Sequence, residues 1–352
     1  MKAAVLYKEN HFVYEDITIR ECEKNEVKVK VMAAGICGSD VHKMKNVWKY
    51  PLPAVMGHEF AGVVVDKGLA VTNINIGDRV AVIPFLPCNH CEYCVRGQFS
   101  LCEEHGMIGS KSFGGFAEYC NIPATNVLPI GDLSFEEAAM IEPLAVALHG
   151  VLNIAPKLGD VVAVFGAGTI GMLTIQWLKQ AGVHEIIAID IAEEKLTDAK
   201  NFGCTRTINA KYENLLKKIH EYTNGLGVDI ALECAGSQIT QEQCLLITRK
   251  KGKVGYLGIA YADVTLREQA FENIFRRELT LQGFWNSYSA PFPGEEWTKS
   301  IAFIQNGRIK LKELISHRFD LKDTQKAFDL IIGRKENYGK VLILPNGGVL
   351  GE

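Results

Sequence analysis

The sequence predicts an α/β fold in two parts, a barrel-like body of short strands followed by a doubly wound parallel sheet. Three observations carry this. Val27-Lys28-Val29-Lys30-Val31 alternates apolar and charged residues, the period of a half-buried strand. From residue 161 onward, short apolar strands alternate with helical stretches, the mark of βαβ units. A glycine-rich turn, Gly166-Ala167-Gly168-Thr169-Ile170-Gly171, joins the first of these strands to a helix.

Taken in order, the first half offers Val27–Val31, then 62–65, then 78–83 as strands punctuated by Gly, Asn and Asp, and reads as all-β. The pattern changes at Leu158-Gly159-Asp160. The segment 161–165 is continuously apolar, as a sheet covered on both faces requires. A helix over 169–180 and strands over 185–190, 228–233 and 253–257 continue the alternation to about residue 283. The tail adds a helix over 324–332 and a strand over 340–344. A chain of 352 residues exceeds one ordinary core and predicts about two domains.

The bulk numbers exclude several classes. A net charge of −3 supplies no basic field for nucleic acid or anionic membrane. Lys2 and Lys8 interrupt the apolar start, unlike a signal peptide, and no run approaches the ~18 apolar residues of a membrane span. The expected location is the cytoplasm. In that reducing setting ten cysteines point to metal binding rather than to disulfides.

The glycine turn has the context of a dinucleotide site. Gly166 permits a tight turn, Gly168 lets the backbone approach a pyrophosphate, and Gly171 lets the helix pack close to the strand. Thr169 and Ile170 open the helix, whose unpaired N–H groups face the phosphates. Asp190, nineteen positions after Gly171, is placed to accept hydrogen bonds from a ribose and to repel a 2′-phosphate. Glu193 and Glu194 add negative charge, and Lys195 is the close cation. This predicts NAD over NADP.

Cys88, Cys91, Cys94 and Cys102 follow the pattern C-x2-C-x2-C-x7-C, which predicts one closed tetrahedral zinc site. An iron–sulfur run would end in a shorter gap followed by proline, but Glu103 follows Cys102 here. Cys37, His58 and Glu142 are dispersed, and spacing alone does not join them. A lone cysteine is usually a small core residue, and Glu142 before Pro143 fits a helix start with proline at its first position.

Gly35-Ile36-Cys37-Gly38-Ser39-Asp40, Gly57-His58-Glu59, Gly77-Asp78-Arg79-Val80, the four-cysteine lobe, Gly114-Gly115-Phe116-Ala117-Glu118-Tyr119, Glu142-Pro143 and the nucleotide turn stand in one order. Together they resemble the zinc-containing medium-chain alcohol and polyol dehydrogenases over essentially the whole chain. The resemblance implies a GroES-like β-barrel catalytic domain over 1–150 with a structural zinc lobe at about 85–105. It implies a Rossmann NAD-binding domain over 151–285 and a return segment, 286–352, completing the first domain. It makes Cys37, His58 and Glu142 ligands of a catalytic zinc, giving two zincs per chain, with Glu59 behind or exchanging with them. Glu142, where many alcohol dehydrogenases carry Cys, points to the polyol branch. The implied reaction is oxidation of a polyol or polyol-phosphate hydroxyl, with zinc as Lewis acid and NAD as hydride acceptor. Ser39 and His42 stand at the family's proton-relay positions. A zinc-free quinone reductase would lack the thiolate lobe and Cys37, His58 and Glu142. A zinc-ribbon nucleic-acid module would want a basic face. Lys43, Lys45, Lys49 and Lys111 are candidates by position for a phosphate, and Asn286 for a substrate hydroxyl. A homodimer or homotetramer through the edge of the Rossmann sheet is expected.

Overall fold

The computed structural model describes residues 1–8, 11–45 and 52–347, without the side chain of Lys45. The chain forms two compact units: Met1–Glu142 with Tyr288–Glu352, and Pro143–Ser287.

The first unit is built on a seven-stranded sheet. Its order is Val127–Pro129, Arg79–Val82, Glu59–Lys67, Glu26–Gly35, Lys340–Leu344 and Ile315–Asp320, and Tyr119–Pro123 also pairs with Glu26–Gly35. The central strand explains itself from sequence. Val27, Val29 and Val31 are buried while Lys28 and Lys30 are half-buried, and from Val31 to Gly35 every residue is buried. Alternation gives way to continuous burial where the strand enters the core, whose large side chains include Met56, Phe60, Phe116 and Phe328. A second sheet of three strands carries Lys2–Lys8 at its centre. The C-terminal strand pairs antiparallel with the central one, setting Leu342 opposite Gly35, and Gly35 in turn lies opposite Glu59.

The reading of the first half as all-β needs correction. Gly38–Lys45 and Phe135–Ala139 are helical, and a helix of 14 residues spans Ile141–Ile154. The second begins at a capping box, Ser134 with Glu137. The third is buried on nearly every side, so its sequence lacks the polar stripe that would reveal a helical period. Pro143 is its third residue rather than its first. The missing N–H is harmless there, because the first four N–H groups of a helix have no intrahelical partner.

The second unit is a parallel six-stranded sheet in the order Arg206–Asn209, Glu185–Asp190, Val161–Phe165, Val228–Glu233, Thr248–Tyr256 and Thr280–Gly283. The order reverses between Val161–Phe165 and Val228–Glu233, the switch point outside whose carboxyl ends ligands bind in such sheets. The helix predicted over 169–180 occupies Thr169–Gln180. Among the described residues, no helix is long and apolar enough to cross a membrane.

Candidate metal centres and dinucleotide site

The cysteine lobe hangs on a short ribbon, Phe85–Leu86 paired with Gly106–Met107. None of the ten cysteines is in a disulfide. The sulfurs of Cys88, Cys91, Cys94 and Cys102 lie within 4.8 Å of one another. Backbone N–H groups support them: Cys88 donates to Cys102 Sγ and Cys91 to Cys88 Sγ, each at 3.3 Å. Chiefly through the backbone N–H of His90, the Cys88 thiol is drawn down to about 6. Burial pushes Cys94 up to about 12. Four such sulfurs, two of them on buried residues, fit a closed zinc site with no position left for substrate.

The second cluster draws on distant parts of the chain. Cys37 precedes the Gly38–Lys45 helix, His58 precedes the Glu59–Lys67 strand, and Glu59 opens it. Donor atoms of Cys37, His58 and Glu59 lie within 4.8 Å of one another, and the Glu142 carboxylate stands outside that distance. His58 and Glu59 are buried. Asp40, fully buried, sits with Oδ1 3.2 Å from His58 Nδ1. The two atoms are close enough for ionic attraction, but neither meets hydrogen-bond geometry with any partner. Asp40 Oδ2 accepts from the Cys37 N–H at 3.1 Å, which fixes the turn carrying that thiol.

The electrostatics of the cluster call for a cation. Burial opposes protonation of His58, yet Asp40 and then Cys37 outweigh it and hold the imidazole well above its ordinary range. Burial pushes Glu142 up to about 7, with His58 opposing and Glu59 reinforcing. A thiolate, an imidazole and buried carboxylates that favour a nearby positive charge are a donor set suited to zinc, whose binding would displace the imidazole proton.

Lys340 was invisible to the sequence reading. It is buried, pairs with Glu59 Oε2, and donates to the Ile36 carbonyl oxygen at 3.0 Å. A side chain at Gly35 would collide with both Glu59 Oε2 and Lys340 Cε, which accounts for the glycine. Asp40 was also missed as a partner of His58. Ser39 and His42 stand half-buried on the Gly38–Lys45 helix, three residues apart and so on one face. Burial lowers the His42 pKa.

The glycine turn has the geometry its sequence requires. Gly166 has φ +88°, and a Cβ there would lie 2.9 Å from the Ala235 backbone nitrogen. A Cβ at Gly171 would collide with the Gly166 carbonyl oxygen. Gly168 is the N-cap of the helix that Thr169 and Ile170 begin. Asp190 is more engaged than the sequence implied. Its Oδ2 accepts from the Ala167 N–H at 2.7 Å, and its Oδ1 from the N–H groups of Ile191 at 2.7 Å and Ala192 at 3.0 Å. The carboxylate thus ties the glycine turn to the next strand. Lys195 lies half-buried on the Glu193–Phe202 helix.

Residues 23–132 match the alcohol dehydrogenase GroES-like domain, and residues 169–306 match the zinc-binding dehydrogenase family. Galactitol 1-phosphate 5-dehydrogenase of Escherichia coli K12 is 35% identical over 92% of this chain and 93% of its own. The chain belongs to the zinc-containing medium-chain dehydrogenases. This dehydrogenase is also 32% identical to sorbitol dehydrogenase of Bacillus subtilis, over 98% of each chain. L-threonine 3-dehydrogenase of Bacillus velezensis is 34% identical over 97% of this chain and 98% of its own. The crystal structure of galactitol-1-phosphate dehydrogenase from Escherichia coli superposes with a TM-score of 0.93 at 33% identity, covering 98% of this chain and 100% of that one. A zinc-binding dehydrogenase from Sinorhizobium meliloti bound to NADP gives 0.90 at 32% identity, covering 98% and 99%. The fold is therefore the GroES-like barrel with a Rossmann-type sheet, and the chain is an oxidoreductase of the zinc-containing alcohol dehydrogenase family.

Of the four lysines considered for a phosphate, Lys43 donates to Ser110 Oγ at 3.1 Å and lies 3.9 Å from Asp40, while Lys111 donates to the His105 carbonyl oxygen at 2.6 Å. Lys49 and the side chain of Lys45 lie outside the described residues. Asn286 has φ +57° and buries Nδ2 without a hydrogen-bond partner.

Proposed function

We propose that this dehydrogenase oxidises a secondary hydroxyl of a polyol phosphate to a ketose phosphate, with NAD as hydride acceptor and two zincs per chain. Galactitol 1-phosphate, giving tagatose 6-phosphate, is the substrate we put first. The observation that carries the reading is the convergence of Cys37, His58 and Glu59 within 4.8 Å, with Glu142 in their field. Zinc held by Cys37, His58 and Glu142 would supply Lewis acidity toward the substrate oxygen, and Cys88, Cys91, Cys94 and Cys102 would hold the structural ion.

The chain's own residues do the rest. Asp40 turns His58 by its Nδ1 side and leaves Nε2 as the ligand nitrogen. Lys340 pairs with Glu59 while donating also to the Ile36 carbonyl oxygen, which anchors the ammonium beside that carboxylate. Ser39 and His42 carry the hydroxyl proton outward, and His42, its pKa lowered by burial, is neutral and able to accept it. Gly166, Gly168, Gly171, Thr169, Ile170 and Asp190 hold the dinucleotide, with Lys195 beside them. The carboxylate of Asp190 supports NAD over NADP. Ten cysteines free of disulfides support a cytoplasmic location.

A second reading, an unphosphorylated polyol or amino alcohol, is favoured by the lysines, since Lys43 and Lys111 already serve neighbouring protein oxygens. The deciding experiment measures NADH formation with galactitol 1-phosphate, ribitol 5-phosphate, sorbitol, butanediol and L-threonine. Preference for a phosphorylated polyol is expected. Turnover of the unphosphorylated compounds alone would refute the phosphate assignment, and better efficiency with NADP would refute the cofactor assignment.

A further inference from the structure

Glu233 ends the Val228–Glu233 strand at the switch point of the second unit. It is fully buried, yet the mechanism above makes no use of it. A buried carboxylate is costly unless donors surround it. Here they do. Oε1 accepts from the N–H of Ala235 at 2.9 Å, the N–H of Gly236 at 3.0 Å and the hydroxyl of Thr240 at 2.7 Å, and Oε2 lies 3.1 Å from the Gly236 nitrogen. The Glu233 backbone carbonyl accepts from Leu257 and Gly258, each at 2.9 Å. A side chain at Gly258 would collide with Glu233 Oε2, so the next strand's exit is fitted around the carboxylate.

The residues so fastened form the wall against which the glycine turn rests. Cys234 N–H donates to the Phe165 carbonyl oxygen at 2.9 Å, and Ala235 is the residue a side chain at Gly166 would strike. The N–H groups ahead of the Gln238–Ile247 helix, which resemble an anion-binding turn, are already occupied by the chain's own anion.

We propose that Glu233 is a positioning residue for the dinucleotide: its carboxylate fastens residues 235–240 as the lip of the switch-point crevice opposite the glycine turn. The inference rests on the reading of this chain as NAD-dependent. The glycine turn and Asp190 belong to the half of the sheet that takes the ADP portion. The Glu233 lip belongs to the other half and therefore serves the nicotinamide end. Glu233→Gln keeps size and shape but removes the charge that three donors share and sets an amide NH2 in place of Oε2, against the Gly236 N–H.

The test titrates the zinc-loaded full chain with NADH, followed by its fluorescence, and with ADP-ribose, which lacks the nicotinamide. Glu233→Gln is expected to weaken NADH binding roughly ten- to hundredfold, the range for a buried donor left without its acceptor. ADP-ribose binding should change less than about threefold. Should that variant fail to fold, Thr240→Val removes one donor and is expected to weaken NADH by about threefold to tenfold with ADP-ribose again spared. Wild-type affinity for NADH in the variants would overturn the proposal. So would equal losses for both ligands, the mark of a merely structural role. A wild-type chain that binds neither ligand would instead overturn the NAD reading itself.

Discussion

His58 is held between two opposed effects. Its burial works against a charge, and Asp40 at 3.2 Å works for one. The neighbouring Asp40–Cys37 hydrogen bond at 3.1 Å means that one carboxylate orients both the imidazole and the turn bearing the thiol. His42, on the same short helix as Asp40, has the opposite setting: burial lowers its pKa. Its ring therefore stays neutral to lower pH than an exposed histidine, which suits a proton acceptor. Replacing His42 with alanine is expected to slow alcohol oxidation about tenfold near pH 6, where hydroxide cannot substitute, and much less in alkaline solution. A pH–rate profile superimposable on the wild type would remove His42 from proton transfer.

At the scale of elements, the cysteine lobe is the piece least able to stand by itself. Its ribbon pairs only Phe85–Leu86 with Gly106–Met107, and its helix, Glu92–Val95, has four residues. Isolated two-stranded ribbons are marginal, and helices below about 12 residues do not persist alone. Ser100 exchanges hydrogen bonds with Tyr288, and Phe99 meets Phe292 edge-on; zinc held by the four sulfurs would add to these contacts on the order of 10 kcal/mol. Cys94→Ser should therefore lower bound zinc by one equivalent per chain and lower the unfolding temperature. Metal analysis and a thermal melt check both, and unaltered values in the variant would rule out a structural ion. The glycine turn is the contrasting element. It is built from adjacent residues whose positive φ and close approaches are properties of the local chain, so its sequence pattern alone was sufficient to find it.

At the scale of the whole molecule, the six-stranded sheet ends in an edge strand, Thr280–Gly283, whose four residues are all exposed. Unpaired strand edges invite pairing with another chain unless charge or a covering element prevents it, and Leu281 there is an exposed apolar residue. We expect a dimer or tetramer that uses this edge, and Leu281→Glu should shift it toward monomer in sedimentation. A wild-type chain that sediments as a monomer would dispose of the expectation.

Three features were written locally: the doubly wound sheet, the nucleotide turn and the thiolate lobe. Each is a matter of hydrophobic period or close spacing, and neighbours in sequence are neighbours in space there. The second cluster was not legible that way. Cys37, His58, Glu59 and Lys340 meet because the strand holding Gly35 pairs with Glu59–Lys67 on one side and with Lys340–Leu344 on the other. Hydrogen bonds between strands carry no trace in the residues they join, so family likeness could nominate Cys37, His58, Glu59 and Glu142, but Lys340 and the service of Asp40 emerged only from the fold. The buried helix Ile141–Ile154 was hidden for a related reason, since burial on nearly all sides erases the polar stripe that sequence reading depends on. Local chemistry thus determined where the parallel sheet, the glycine turn and the thiolate lobe lie, while long-range pairing decided which charges stand around Cys37, His58 and Glu59, because only folding sets the distances on which electrostatics depends.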